Sequence, residues 1–234
     1  MEEYQQIVSV LALSMGAAWA SGINLYAALV MMGLMGASGN MVLPEQLEIL
    51  SNPLVIGAAG LMYMVEFVAD KMPGVDTAWD SLHTFIRIPA GAMLAAGAVG
   101  DLAPAVELAA AIIGGGVAAT SHVTKAGSRV LINTSPEPFS NWAASIAEDL
   151  VVLGGLYTAL SHPWVFLALL VLFLLFAVWV IPKLWRGIKT VFHGLGRLLG
   201  IRKAAEPDGD SELGEKEPVP PAKATALTLD QNNP

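Results

Sequence analysis

Four carboxylates stand inside stretches that are otherwise long and apolar. Glu66 and Asp70 lie in PLVIGAAGLMYMVEFVADK, and Glu148 and Asp149 lie in NWAASIAEDLVVLGGLYTAL. A charged side chain at the centre of a bilayer costs about 2.5–3.5 kcal/mol on insertion scales, so such residues face a protein interior or water and mark a pathway. Their chemistry is cation binding or proton transfer, since desolvation favours the protonated form of a carboxyl.

Spacing refines this reading. Glu66 and Asp70 are four residues apart and share one helix face. Lys71, a turn at Pro73-Gly74, and then Asp76 and Asp80 follow, the last two again four apart on a short amphipathic helix over 76–87. Together they would form an acidic vestibule that binds a cation or relays protons; alternatively, Asp70, Lys71, Asp76 and Asp80 are solvated at the membrane edge. Glu148 and Asp149 are adjacent and so point about 100° apart on a helix, one toward a cavity and the other toward a neighbouring helix. His122, Lys125 and Arg129 fall at i, i+3 and i+7, one stripe if their helix continues. They would bind an anion, bridge to the carboxylates, or anchor a helix end. Asn24, beside Gly22 in the first apolar segment, offers either a ligand to a polar site or a helix-packing hydrogen bond. HxxKxxxR is not a metal-ligand spacing, so the identity of any metal stays unknown, and no cofactor is expected.

The elements that position these residues are apolar segments at about 7–36, 53–71, 86–100, 104–121, 141–160 and 163–182, separated by turn residues. Runs near 20 residues read as transmembrane helices, and six crossings are the simplest count. The first is about 30 residues long and interrupted by Ser21-Gly22-Ile23-Asn24, so it is one tilted helix or a helix broken near the bilayer centre. The third and fourth, rich in Ala and Gly, predict a tightly packed hairpin, because small residues let backbones approach. With both termini in the cytoplasm, every Lys and Arg falls on the side that the positive-inside rule requires. Two halves of three spans each then have opposite orientation, the arrangement of inverted-repeat transporters.

Composition agrees. Of 234 residues, 55% are hydrophobic and 14% charged, against about 25% charged in a soluble domain. Cys is absent, which excludes disulfides, thiol nucleophiles and Cys-ligated metals. Residues 1–182, 183–203 and 204–234 carry formal charges of −9, +6 and −5. They read as a transmembrane helical domain, a basic amphipathic helix on anionic lipid, and a disordered acidic tail. Ala18-Trp19-Ala20 has the form of a signal-peptide cleavage site, but the acidic start MEEYQQ and the apolar run beyond the cut predict that the segment is retained. Nothing resembles a nucleic-acid-binding surface, and no Gly-rich phosphate loop, GxSxG or HExxH motif signals an enzyme.

The strings SGINLYAALVMMGL, VEFVADKMPGVDTAWDSLHTFIR and SHVTKAGSR…SNWAASIAEDL resemble a bacterial membrane family, Domain of Unknown Function 4126. The EFxADKxPxxDxxWD run is the specific part, and the resemblance covers about residues 7–182. It implies a polytopic membrane location and assigns no activity. The expectation is therefore an all-α, polytopic helical bundle in the bacterial inner membrane. It would be a transporter or channel-like protein for an ion or small polar solute, or else a lipid-handling or scaffold protein. Membrane lipids, the solute and a second copy in a homo-oligomer are the expected partners.

Overall fold

A computed structural model describes residues 1–198 except Pro73, Asp101 and residues 135–137. The chain divides into Met1–Leu195 and Gly196–Pro234. Residues 199–203 of the amphipathic segment and the acidic tail 204–234 lie outside the described residues.

Among the described residues six α-helices follow in order: α1 (Glu2–Ala37), α2 (Pro53–Ala69), α3 (Val75–Ala98), α4 (Pro104–Ile132), α5 (Pro138–Ser161) and α6 (Pro163–Leu198). A 3₁₀ helix, Glu45–Ser51, precedes α2, and no strand occurs among the described residues. Proline opens α2, α4, α5 and α6, where its missing N–H is no loss and its fixed φ suits the first turn. At α2 the Asn52 side chain also accepts from Leu54 N at 2.9 Å. Gly39 and Gly100, each one residue past a helix C-cap, take φ of 71° and 65° and stop α1 and α3.

Packing centres on α1, α3 and α4. The buried face of α4 repeats Ala110, Gly114, Val117, Ala118, Ser121, His122, Lys125 and Arg129 at helical spacing, small residues first and charged ones last. That of α3 runs the other way, from Asp76, Asp80, His83 and Arg87 to Gly91, Ala95 and Ala98. The two helices are antiparallel neighbours, so their polar halves meet at one end and their small residues at the other. A Cβ on Gly91 would strike Ala118, one on Gly114 would strike Ala95, and one on Gly22 of α1 would strike Ser121 and the Ala118 carbonyl. The expected close packing of the Ala- and Gly-rich segments is observed.

Outward faces are apolar. Leu54, Leu61, Ile112, Leu172 and Val178 are among many large hydrophobic residues that are well exposed, the pattern of a surface that meets lipid rather than water.

Among the described residues four helices, α1, α4, α5 and α6, are long and apolar enough to cross a membrane, and counting the 3₁₀ helix with α2, bent by 68°, as one span makes five. The third expected span differs. The predicted amphipathic helix 76–87 and the predicted span 86–100 are one continuous helix, α3, with Pro89 inside it. It is not among the helices apolar enough to cross, its first half holding Asp76, Asp80, His83 and Arg87. Likewise α6 continues through Pro182 into the basic segment without a break. Of the two readings of the first segment, the broken helix is observed: Asn24 takes φ −145° and ψ 94°, so α1 is two helices meeting at a kink.

Candidate functional site

The charged ends of α2, α3, α4 and α5 converge. Lys125, on α4, is the centre: its Nζ lies 3.0 Å from Asp70, 3.4 Å from Glu66, 3.5 Å from Glu148 and 3.6 Å from Asp80. Arg87, on α3, sits one layer deeper. It contacts Glu66 at 2.5 Å and Asp80 at 2.9 Å, and its Nη1 is 3.4 Å from His122 Nδ1. Arg129, one turn beyond Lys125, grips Glu148 through Nε at 3.0 Å and Nη2 at 2.6 Å. Its Nη1 also donates to the carbonyls of Asp70 at 2.9 Å and Asn141 at 3.3 Å. Within the helical stripe, Lys125 and Arg129 bridge to the carboxylates, whereas His122 meets Thr84 and Arg87 instead.

Asp76 closes the end of this assembly. Its carboxylate accepts from the Gly74 and Thr77 N–H groups at the start of α3 and from Asn133 Nδ2 at the end of α4. Asn141 donates to Asn133 in turn, at 2.7 Å. This is a latch between helix ends, with Arg129 4.0 Å away. Asp70, Asp76 and Asp80 are thus buried, which corrects the alternative that placed them in solvent at the membrane edge. Tertiary packing brings α4 over that end of α2 and α3, and no local sequence signal reports it. Lys71 is half-buried; its Nζ rests over the Phe67 ring at 2.8 Å and lies 3.5 Å from Ser145 Oγ.

Glu148 and Asp149 separate as their 100° offset requires. Asp149 turns from the cluster and accepts from Asn24 Nδ2 at 2.9 Å and from the Tyr63 hydroxyl at 3.0 Å. Asn24 does two things at once, because its Oδ1 also accepts from Ala27 N at 3.0 Å. It caps the second half of α1 in the manner of an N-cap residue. His122, expected to be a ligand or an anchor, bonds to Thr84 Oγ1 at 2.7 Å.

Five carboxylates (Glu66, Asp70, Asp76, Asp80 and Glu148) thus gather around three cations, Arg87, Lys125 and Arg129. Acceptors are left over. Glu66 Oε2, Asp70 Oδ1 and Asp80 Oδ2 are buried with no protein hydrogen-bond partner. Among the described residues no group of three or more His, Asp and Glu is arranged to hold a metal ion. The surplus is one of negative charge and acceptor capacity, which protons or a cationic group relieve.

A cavity of about 210 Å³ reaches the cluster between Lys125 and Glu148, lined also by Ile23, Ser121, Thr124, Ser128, Val151 and Phe173. Val151 and Phe173 are shared with a second cavity of about 350 Å³, walled by Trp19, Gly154, Gly155, Phe166 and Leu170. The two form one groove along α5, apolar over most of its length and charged at one end.

Reading the sequence missed several participants. Arg87 is seven residues from Asp80 and therefore on its face, a signal hidden by ending the helix at residue 87 instead of running it on through Pro89. Tyr26, which bonds His83 at 3.1 Å, Tyr63, Asn133 and Asn141 carry no periodic signal, because ordinary polar residues in an apolar helix look alike until a partner is placed opposite.

The sequence profile described as a domain of unknown function, DUF4126, matches residues 11–183. The chain belongs to this family. The match contains every member of the cluster, from Asn24 to Asp149, and stops within α6. The chain is thus a membrane-like helical protein of a family of unknown function. Comparison with curated proteins and with solved structures gives no match.

Proposed function

We propose that the protein is a small transporter of the bacterial inner membrane, carrying an ion or small polar solute past the cluster centred on Lys125. One observation carries the reading: four buried carboxylates and the partly buried Glu148 share one assembly with three buried cations, inside a bundle whose exterior is apolar. Ionisable groups at that depth are costly to keep and mark pathways in membrane proteins. The break in α1 at Asn24 adds support, since discontinuous helices supply site ligands in transporters. In this reading the chain crosses six times, with α3 as a crossing helix whose charges are hidden in the bundle. Both termini are cytoplasmic, α1–α3 and α4–α6 form inverted halves, and the basic end of α6 lies on anionic lipid.

The test is a screen of ions and small polar solutes by thermal shift on purified protein, followed by uptake of the hits into proteoliposomes. Wild-type protein should accumulate a stabilising solute, and Glu148→Gln, at the cavity edge of the cluster, should lose most of that uptake while staying folded. Equal uptake by the variant counts against the proposal.

The groove along α5 favours a second reading, in which an acyl chain lies against Trp19 and Phe166 and its headgroup meets Lys125 and Glu148. Lipid retained through purification and identified by mass spectrometry, and lost on filling the groove with Gly154→Leu, would select this reading instead.

A further inference from the structure

The cavity beside Lys125 and Glu148 offers a ligand acceptors rather than donors. Three hydroxyls of α4 line it, and each spends its proton on a backbone carbonyl: Ser121 on Trp19 O at 2.9 Å, Thr124 on Thr120 O at 2.8 Å and Ser128 on Lys125 O at 2.7 Å. What they have left is lone pairs. Lys125 is a cation in the wall, but the three N–H groups of its ammonium are already shared among four carboxylates at 3.0–3.6 Å. Glu148 is the accessible charge. Its side chain is 17% exposed, whereas those of the other four acids of the cluster are 0–4% exposed. Arg129 takes one site on each Glu148 oxygen and Lys125 approaches Oε2. A carboxylate accepts at about four sites, so Oε1 keeps one for a ligand.

The charge balance points the same way. Five carboxylates face three cations, and Glu66 Oε2, Asp70 Oδ1 and Asp80 Oδ2 are buried without a protein partner, each on a carboxylate whose other oxygen contacts Lys125. An anion entering the cavity would find its donors already engaged and a surplus of negative charge. A cation rich in N–H groups would find the reverse. Beyond Val151 and Phe173 the groove is apolar, so the cation that fills it carries an apolar body, the combination of few polar groups and much apolar wall that small-molecule sites use. A phospholipid matches less well, because its phosphate would bring a negative charge to the same wall.

We propose that this cavity binds a primary organic ammonium. Its N–H groups donate to Glu148 Oε1 and to the hydroxyl oxygens of Thr124 and Ser128, and its alkyl or aryl part lies along the groove toward Phe166. This rests on the transport reading and makes the ion that is carried an organic cation.

The experiment titrates heptylammonium by calorimetry into the full chain in phosphatidylcholine nanodiscs, with protein-free discs as the baseline. Saturable binding above that baseline is expected. Heptanoate should give none, and heptyltrimethylammonium, equal in charge but without N–H groups, should bind about tenfold more weakly or worse. Glu148→Gln should weaken heptylammonium about tenfold. Thr124→Val, which replaces one acceptor with a methyl group and leaves every ion pair in place, should weaken it roughly threefold. Gly154→Leu, in the apolar half, should erase the gain in affinity that the wild type shows from propylammonium to heptylammonium. Binding of heptanoate or of the trimethyl analogue as tight as that of heptylammonium, or equal binding by the wild type and all three variants, would overturn the site. Binding should persist in discs containing phosphatidylethanolamine; its loss there would make a lipid headgroup the occupant and overturn the assignment to a free amine. If heptylammonium binds as described but proteoliposomes take up no more of it than protein-free liposomes, the transport reading fails and the ammonium site stands.

Discussion

Arg87 shows what a single residue does in this interior. Its guanidinium separates Glu66 from Asp80, and all three side chains are fully buried. Removing one partner of a buried ion pair leaves an uncompensated charge and costs about 3–5 kcal/mol, whereas removing both partners together is far milder. Arg87→Met should therefore lower the unfolding temperature sharply in detergent. Adding Glu66→Gln and Asp80→Asn should return much of the loss; no recovery would mean that Arg87 acts by packing alone. Asn24 is the second informative residue, since its Oδ1 caps a half-helix while its Nδ2 holds Asp149. Asn24→Ala removes the cap, for which about 1 kcal/mol is typical. Asn24→Ser, which keeps a capping oxygen but cannot span to Asp149, should recover stability without recovering the Asp149 contact.

Among the elements, α3 and α4 were the most and the least legible together. The stripe His122, Lys125, Arg129 could be read from its spacing, as could the shared face of Glu66 and Asp70, because helical periodicity is local. The fusion of two predicted segments into α3 could not, since Pro89 and the change from charged to small residues imitate a boundary. Which carboxylate meets which cation was equally hidden, being decided by how four helices pack. The small residues give a sharp test. Gly114 faces Ala95 closely enough that an added Cβ would collide, while nothing lies within 4 Å of the corresponding position on Gly116. Gly114→Ala should destabilise by about 1–3 kcal/mol through overpacking. Gly116→Ala, two residues away, should be neutral or stabilising by up to about 1 kcal/mol from helix propensity. Thermal unfolding of the two variants side by side checks this; equal effects would contradict the packing of α3 on α4.

For the molecule as a whole, the crossing count is open to direct measurement, because the chain has no cysteine to remove first. Single cysteines at the exposed positions Ser38 and His162 should react with an impermeant maleimide on intact spheroplasts, and one at exposed Thr134 only after permeabilisation. Labelling of His162→Cys from the inside alone would reject six crossings. The distribution of charge within the cluster bears on synthesis as well. Four of the five acids lie in the stretch of the first three helices with Arg87 as their one cation inside the cluster, while Lys125 and Arg129 belong to α4. A ribosome therefore delivers the acids well before most of the groups that neutralise them. Until α4 emerges, the leading half carries an unbalanced negative charge that it has no means of burying. Fragments 1–103 and 104–234 expressed separately should each be degraded, and expressed together should protect one another, the second acting as the built-in chaperone of the first.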